Sequence, residues 1–408
     1  MDHYVGLDDI NHAWARIRSE VRNTPLIHSR TLSDIAGCQT HFKLENLQMT
    51  GSFKERGVVN KLLTLSDEEK TKGLIAASAG NHAQALAYHA SRLGISVKIV
   101  MPKYSPIVKV RSTRHWGAEV ILAGETFDDA MLTSRELAER EQRLYIHPFD
   151  DTLVAAGQGT IGVELLSTET TRPIDAILVP VGGGGLIAGI AAYVKAVAPD
   201  ISVIGVEEAS CDAMHQALQA GTPTLVDAAP VIADGIAVRQ VSPENLKIVG
   251  ELVDDVVTVS SDEIANAIML MLEIEKLVVE GAAATPLAAL VNNRLPHLKG
   301  KTVVSVVSGG NIDVNLLSKI IDQGLVFDGR IGRIETVIQD KPGKLENLLT
   351  VFRIEGANIL EVNHHRTSPD APIGEVGVSV TVETRDRDHL DTIKQALTND
   401  GYPIRKER

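Results

Sequence analysis

Residues 176–194, AILVPVGGGGLIAGIAAYV, carry no charged side chain and hold four glycines in a row, Gly182, Gly183, Gly184 and Gly185. A run of this kind has to leave water, and it can do so in two ways. Its length suits a membrane-spanning helix, which needs about 20 apolar residues. Pro180 and the glycines oppose that reading, because each glycine inside a helix costs roughly 1 kcal/mol relative to alanine. A buried strand, a glycine turn and a buried helix fit better. That choice commits this part of the chain to α/β architecture, with no membrane association expected.

Similar runs recur. GLIAAS, SVKIVMP, AEVILAG, SVIGVEE and TVVSVVSGG are short and apolar, and helical patterns such as NHAQALAYHASRLG separate them. Strands that are apolar throughout belong to parallel sheets covered on both faces, joined by right-handed crossovers. At 408 residues the chain is long enough for two or three domains. Its character changes near LVFDGR, residues 325–330. Beyond that point, 333–340, 358–365 and 375–383 read as strands, and 344–355 and 387–399 as helices. With a last strand in the tail this is the βαββαβ order of a ferredoxin-like module, predicted over 331–408.

The totals exclude some functions. A net charge of −13 opposes nucleic-acid binding, which depends on neutralising phosphates with Lys and Arg. A small phosphate-bearing molecule needs only a local site and stays open. Cys38 and Cys211 make neither a disulfide framework nor a zinc spacing, which suits a reducing compartment. The start, MDHYVGLDDI, is acidic and has no signal-peptide core, so a cytoplasmic location is expected.

In open α/β sheets, ligands bind beyond the carboxyl ends of the strands, where helix N-termini present free N–H groups. Three turns stand at such places: SAGNH at 78–82, GGGGL at 182–186 and SGGN at 308–311. Consecutive glycines let several N–H groups converge on one anion, so the second turn reads as a phosphate nest. The first reads equally as a helix cap through Ser78 or Asn81 or as an anion site. Gly183, Gly185 and Ala188, with Glu207 beyond them, also match a dinucleotide-binding fingerprint, which leaves a nicotinamide-dependent oxidoreductase open. A lysine, Lys54 in GSFKERG, directly follows Phe53, one of only six phenylalanines. It is either a surface charge or a buried amine with a chemical task.

GSFKERG, SAGNHAQ, GGGGLIAG and SGGN, in this order, resemble the fold-type II pyridoxal-phosphate enzymes, and most closely the serine/threonine dehydratases. The resemblance runs from about Leu7 to Ile321. The later DKPGKLENLL and GANI resemble an ACT regulatory domain, a combination seen in threonine dehydratases (threonine ammonia-lyases). The resemblance implies two open α/β sheet domains over 1–325, the smaller, about 52–150, inserted in the larger, followed by an ACT domain at 331–408.

It also implies roles. Lys54 would form the Schiff base with pyridoxal 5′-phosphate and later move the Cα proton, and Phe53 would lie against the pyridine ring. Gly182, Gly183, Gly184, Gly185 and Leu186 would hold the phosphate, Asn81 the ring hydroxyl, and Ser308 would face the ring nitrogen. Ser78, Ala79, Gly80 and His82 would cradle the substrate carboxylate, with Gly235 of DGIA nearby; His82 reads equally as a helix-start residue. The implied reaction is β-elimination of L-threonine, and more slowly L-serine, to a 2-oxo acid and ammonia. Related serine racemases carry serine where Ala79 stands, which weighs against racemisation. Glu207 fits the metal site of those relatives, but Ala213 falls where a carboxylate is expected, so no metal is assigned. An amino-acid effector is implied at the ACT-like module, with Asp340, Pro342, Gly343 and Asn358 as candidates and a plain strand–helix turn as the alternative. Feedback in isoleucine biosynthesis would suit such a module, and a homodimer or homotetramer is expected. Other hydroxy-amino-acid dehydratase activity and a non-catalytic amino-acid sensor remain as alternatives.

Overall fold

Two sheets organise the N-terminal of two units, Met1–Asp313, and a third belongs to the C-terminal unit, Val314–Arg408. The computed structural model describes residues 5–168, 172–227, 231–365 and 372–405. In the N-terminal unit the strands are β1 Leu26–His28, β2 Gln39–Leu44, β3 Leu74–Ala77, β4 Val97–Met101, β5 Glu119–Leu122, β6 Leu144–Tyr145, β7 Ala176–Pro180, β8 Ser202–Glu208, β9 Asp255–Val259 and β10 Thr302–Val307. The larger sheet has the order β1-β2-β10-β7-β8-β9 and is parallel except for the β1–β2 pair. The smaller, β5-β4-β3-β6, is wholly parallel, and its strands come from one stretch of chain between β2 and β7. Every residue of β3, β7 and β10 is buried, as strands covered on both faces require. The uncharged run resolves into β7, a glycine turn and the helix Gly185–Val197. Among the described residues no helix is long and apolar enough to cross a membrane.

Two close approaches set the distance between the parts that matter below. Asp151 caps the helix Thr152–Ser167 by accepting from the N–H groups of Leu153 and Val154 at 2.9 and 3.1 Å. A Cβ on Gly157 would lie 2.5 Å from Gly57 Cα, so the helix Lys54–Leu63 can pack against it only backbone to backbone. A Cβ on Gly159 would lie 2.7 Å from the Gly189 carbonyl oxygen, in the helix Gly185–Val197. One buried helix thus ties the Lys54 helix to the tetraglycine helix. A buried ion network reinforces the junction. Arg56 pairs with both oxygens of Glu45 at 2.7 Å and with Glu164 at 2.7 Å, while Lys43 pairs with the other oxygen of Glu164. All four side chains are buried, and two cations balance two anions. Removing one member would strand a buried charge at a cost of roughly 3–5 kcal/mol.

In the C-terminal unit the helix Val314–Phe327 precedes β11 Ile331–Gln339, the helix Lys344–Glu355, β12 Asn358–His365, β13 Glu375–Glu383 and the helix Arg387–Asn399. The first of these helices clusters with the C-terminal unit. The sheet is antiparallel with order β11-β13-β12. Ile334, Ile338, Leu348, Phe352, Val380 and Ile393 are among its core residues. The last strand of the predicted βαββαβ order is not formed among the described residues. In the tail, Arg405 N–H donates to the Glu335 carbonyl of β11 at 2.9 Å. Pro403 interrupts any longer ladder because it has no N–H to donate.

Candidate active site

The GSFKERG and SGGN segments meet edge to edge. Phe53 N–H donates to the Ser308 carbonyl at 3.0 Å and Gly310 N–H to the Gly51 carbonyl at 2.9 Å, with Ser52 and Gly309 bridged between them. Lys54 follows as the first residue of its helix. Its Nζ donates to the Pro148 carbonyl at 2.9 Å and lies 5.1 Å from the centre of the Phe53 ring. Burial pushes this amine down to about 8, against the pull of the Glu280 carboxylate. Lys54 is therefore no ordinary surface charge. Ser308 is buried at the end of β10.

The tetraglycine turn opens the helix Gly185–Val197, and Gly184, at φ +89°, takes a backbone conformation that favours glycine. A Cβ on Gly183 would lie 2.5 Å from the Phe149 ring, and one on Gly185 would lie 2.9 Å from the Phe149 carbonyl oxygen. Asn245 Nδ2 ties the two segments together, donating to Gly183 O at 2.8 Å and to Phe149 O at 3.1 Å. Among the described residues, no N–H group from Gly182 to Leu186 donates to a protein acceptor. Unclaimed donors at a helix start form an anion site. A side-chain-free cradle beside a desolvated lysine amine fits a phosphate-bearing aldehyde.

SAGNH lies between β3 and the helix Asn81–Arg92. Ser78 Oγ accepts from the N–H groups of Gly80 and Ala83 at 3.2 and 3.3 Å, while the N-cap position itself is Gly80. A Cβ added at Gly80 would meet nothing within 4 Å, which leaves open space at the helix start. Ala79 is half-buried against the core of the smaller sheet. Asn81 Nδ2 donates to Glu280 Oε1 at 2.7 Å, and its Oδ1 accepts from Asn311 Nδ2 at 2.7 Å. His82 is buried with Nε2 3.1 Å from the Ile146 carbonyl and Nδ1 unpartnered. Burial, and then Lys54, pushes it down to about 3, so it is neutral at physiological pH. Gly235 lies on the turn Asp234–Ile236, where its Cβ would come 3.4 Å from Glu280 Oε1.

Glu280, Asn311, Asn245 and Phe149 were given no role in the sequence reading. Burial, and then the charge of Asp234, pushes Glu280 up to about 7, against its hydrogen bond from Asn81. The only sequence signal for it is a lone acid in the apolar run VVEGAAATP. Glu207 is engaged within the fold. Both its oxygens accept N–H groups at the start of the helix Ala213–Ala220, from Met214 at 2.9 Å and His215 at 2.8 Å. The dinucleotide fingerprint thereby loses its ribose-binding acid. Among the described residues no group of three or more His, Cys, Asp or Glu is placed to hold a metal ion.

The effector candidates lie apart within one chain. Gly343, at φ +82°, starts the helix Lys344–Glu355, and Asp340 N–H donates to the Gly374 carbonyl at one end of β13. Asn358 pairs with Glu383 at the other end, where its Nδ2 donates to the Glu383 carboxylate at 3.0 Å. Pro342 is exposed on the turn.

Comparison with known proteins agrees with this chemistry. The chain is 43% identical over 401 residues to an L-threonine ammonia-lyase of Thermotoga maritima, covering 98% of this chain and 99% of that one. Its fold matches a processed threonine deaminase isoform 2 from Solanum lycopersicum with a TM-score of 0.73 at 36% identity, over 79% of this chain and 90% of that one. It also matches a maize serine racemase with a TM-score of 0.74 at 33% identity, over 80% and 99% of the two chains. The model of the pyridoxal-phosphate-dependent enzymes matches residues 17–309, which span both sheets of the N-terminal unit, the first two glycine turns and the start of the third, and the chain belongs to that family with its fold-type II architecture.

Proposed function

We propose that this protein is an L-threonine ammonia-lyase that eliminates the β-hydroxyl of L-threonine, and more slowly of L-serine, to give a 2-oxo acid and ammonia. The observation that supports this most is the end-to-end similarity to an L-threonine ammonia-lyase, taken with a half-buried lysine amine beside an unclaimed anion cradle. Pyridoxal phosphate, when bound, supplies the aldehyde and the electron sink that make the substrate's Cα–H acidic.

The chain's own groups do the rest. Gly182 to Leu186 hold the phosphate on backbone N–H groups. The open space at Gly80 admits the substrate carboxylate to the start of the helix Asn81–Arg92, where the N–H groups of the first turn favour an anion. Lys54 carries the transferred proton on Nζ; an amine titrating near 8 is neutral in a useful fraction at physiological pH, which an ordinary lysine is not. His82, whose pKa burial lowers to about 3, does not compete with Lys54 for that proton. Ser308 offers a hydroxyl to the ring nitrogen in place of an acid and cannot hold that nitrogen protonated. A ring left unprotonated there would be a weaker electron sink, which suits elimination better than racemisation. The likeness to a serine racemase supports a second reading, but Ala79 has no proton to return to the opposite face of Cα.

The C-terminal unit is read as an ACT regulatory domain. Asp340, Pro342 and Gly343 lie at one end of β13 and Asn358 at the other, so they share one amino-acid effector only if two copies of the chain contribute, which favours a homodimer or homotetramer. Feedback by a branched-chain amino acid would suit an enzyme forming 2-oxobutanoate, and a cytoplasmic location fits both roles. The test is to incubate the purified enzyme with L-threonine and with L-serine and to measure 2-oxo acid, ammonia and the D-amino acid. Oxo acid and ammonia in equal amounts are expected, and D-serine as the main product would overturn the assignment.

A further inference from the structure

Three of the sequence motifs converge on a residue that none of them contains. Glu280 directly precedes the helix Gly281–Val291, and its N–H donates to the Gly309 carbonyl at 3.1 Å. Its side chain is 3% exposed. Oε1 accepts from Asn81 Nδ2 of SAGNH at 2.7 Å. A Cβ on Gly309 of SGGN would overlap Oε1, so that glycine makes room for the carboxylate, and Gly235 of DGIA lies beside it, where a Cβ would come 3.4 Å from Oε1. The other end of the Asn81 amide is also fixed. Oδ1 accepts at 2.7 Å from Asn311 Nδ2, and that nitrogen donates to the Thr50 carbonyl at 2.8 Å. A carboxamide can rotate by a half-turn and exchange its oxygen for its nitrogen. Here such a flip would set oxygen against a carboxylate and nitrogen against nitrogen, losing both hydrogen bonds.

We propose that Glu280 is a positioning residue for the cofactor, acting through Asn81. It takes one hydrogen of Nδ2 and holds the amide so that the second remains a donor for the cofactor's ring hydroxyl. This rests on the reading that Asn81 serves that hydroxyl. A donor there favours the ionised oxygen, whereas a flipped amide would present an acceptor and favour the protonated one. The two forms of the bound cofactor absorb in different bands, the first in the violet and the second in the near ultraviolet. Their ratio in the resting enzyme therefore reports the orientation of Asn81 without any turnover.

The experiment compares the spectra of wild-type holoenzyme, Glu280→Ala, Glu280→Gln, Asn81→Ala and the double alanine variant, each checked for trapped cofactor with borohydride. Glu280→Ala is expected to lower the violet-to-ultraviolet ratio about fivefold, the worth of one ordinary hydrogen bond. Glu280→Gln keeps an acceptor oxygen and should stay within about twofold of wild type. The double variant should be no lower than Asn81→Ala, since groups acting through one another are not additive. If Glu280→Ala does not fold, Glu280→Asp, one methylene short of Asn81, takes its place with the same expectation. A wild-type ratio in Glu280→Ala beside a lowered one in Asn81→Ala would overturn the role of Glu280 alone. An unchanged ratio in Asn81→Ala would overturn the reading of Asn81 and the inference with it. Multiplying effects in the double variant would show that Glu280 acts by another route.

Discussion

Gly183→Ala is the smallest change that probes the phosphate cradle. The added carbon would stand 2.5 Å from two atoms of the Phe149 ring and 2.7 Å from a third. Carbon atoms in contact normally lie about 3.5–4.0 Å apart, so something must move by about 1 Å. Phe149 is poorly placed to yield. Its carbonyl is held by Asn245 at 3.1 Å, and its ring lies edge to face with His147 at 4.7 Å. The glycine turn itself would shift instead, taking its N–H groups off the phosphate. Overpacking of this kind costs about 1–3 kcal/mol. Charged to cofactor binding, that is roughly a 5- to 150-fold rise in Kd, at about 1.4 kcal/mol per factor of ten. The assay is equilibrium dialysis of the apoenzyme against pyridoxal phosphate, followed by absorbance. Phe149→Leu in the same chain should recover part of the loss, because it removes the atoms that collide. Gly80→Ala, whose new carbon meets nothing within 4 Å, should leave Kd unchanged and raise KM for threonine. Unaltered cofactor affinity in Gly183→Ala would refute the reasoning about the cradle.

Three further outcomes are expected. Ser308→Asp should favour a protonated ring nitrogen by placing a negative charge beside it, so racemisation or proton exchange should rise relative to elimination, read as the ratio of solvent-deuterium incorporation to oxo acid formed. Capture of pyridoxal phosphate by the apoenzyme needs the neutral amine of Lys54. Because burial lowers its pKa from 10.5 to about 8, the capture rate should climb about tenfold per pH unit below 8 and level off above it, whereas a climb continuing to pH 10 would describe an ordinary lysine. A chain ending at Asp313, before the helix that clusters with the C-terminal unit, should keep threonine turnover and lose any response to isoleucine or valine; identical responses in both chains would contradict the regulatory role proposed for that unit.

The strands were legible because they are apolar from end to end. GLIAAS, AILVPV and TVVSVV form the buried strands β3, β7 and β10. The alternation in EVGVSVTVE likewise gave β13 residue by residue. Glycine clusters marked where the backbone turns at a strand end, and all three proved to be strand-to-helix or strand-end turns of one unit. Residues whose role depends on distant partners left no such pattern. Glu280 is one acid among many until Asn81, Gly309 and Gly235 gather around it. Nothing local to Arg56 or Glu45 reveals that Glu164 and Lys43 complete a buried, balanced set with them. Glu207 misled for the same reason: its spacing suits a ribose or a metal, and only the fold shows it capping a helix. Among the described residues of the tail no last strand forms, and Pro403, which has no N–H to donate, is the local reason.

The central claim is that Lys54 is the residue bonded to the cofactor. Purified holoenzyme should absorb in the violet, and borohydride should remove that band and leave a stable pyridoxyl mark. Peptide mass mapping of the reduced protein should find the mark on Lys54 alone, and Lys54→Ala should show neither the band nor the mark, while cofactor still competes with inorganic phosphate for the untouched glycine cradle. A mark on another lysine, or a full band in Lys54→Ala, would contradict the account.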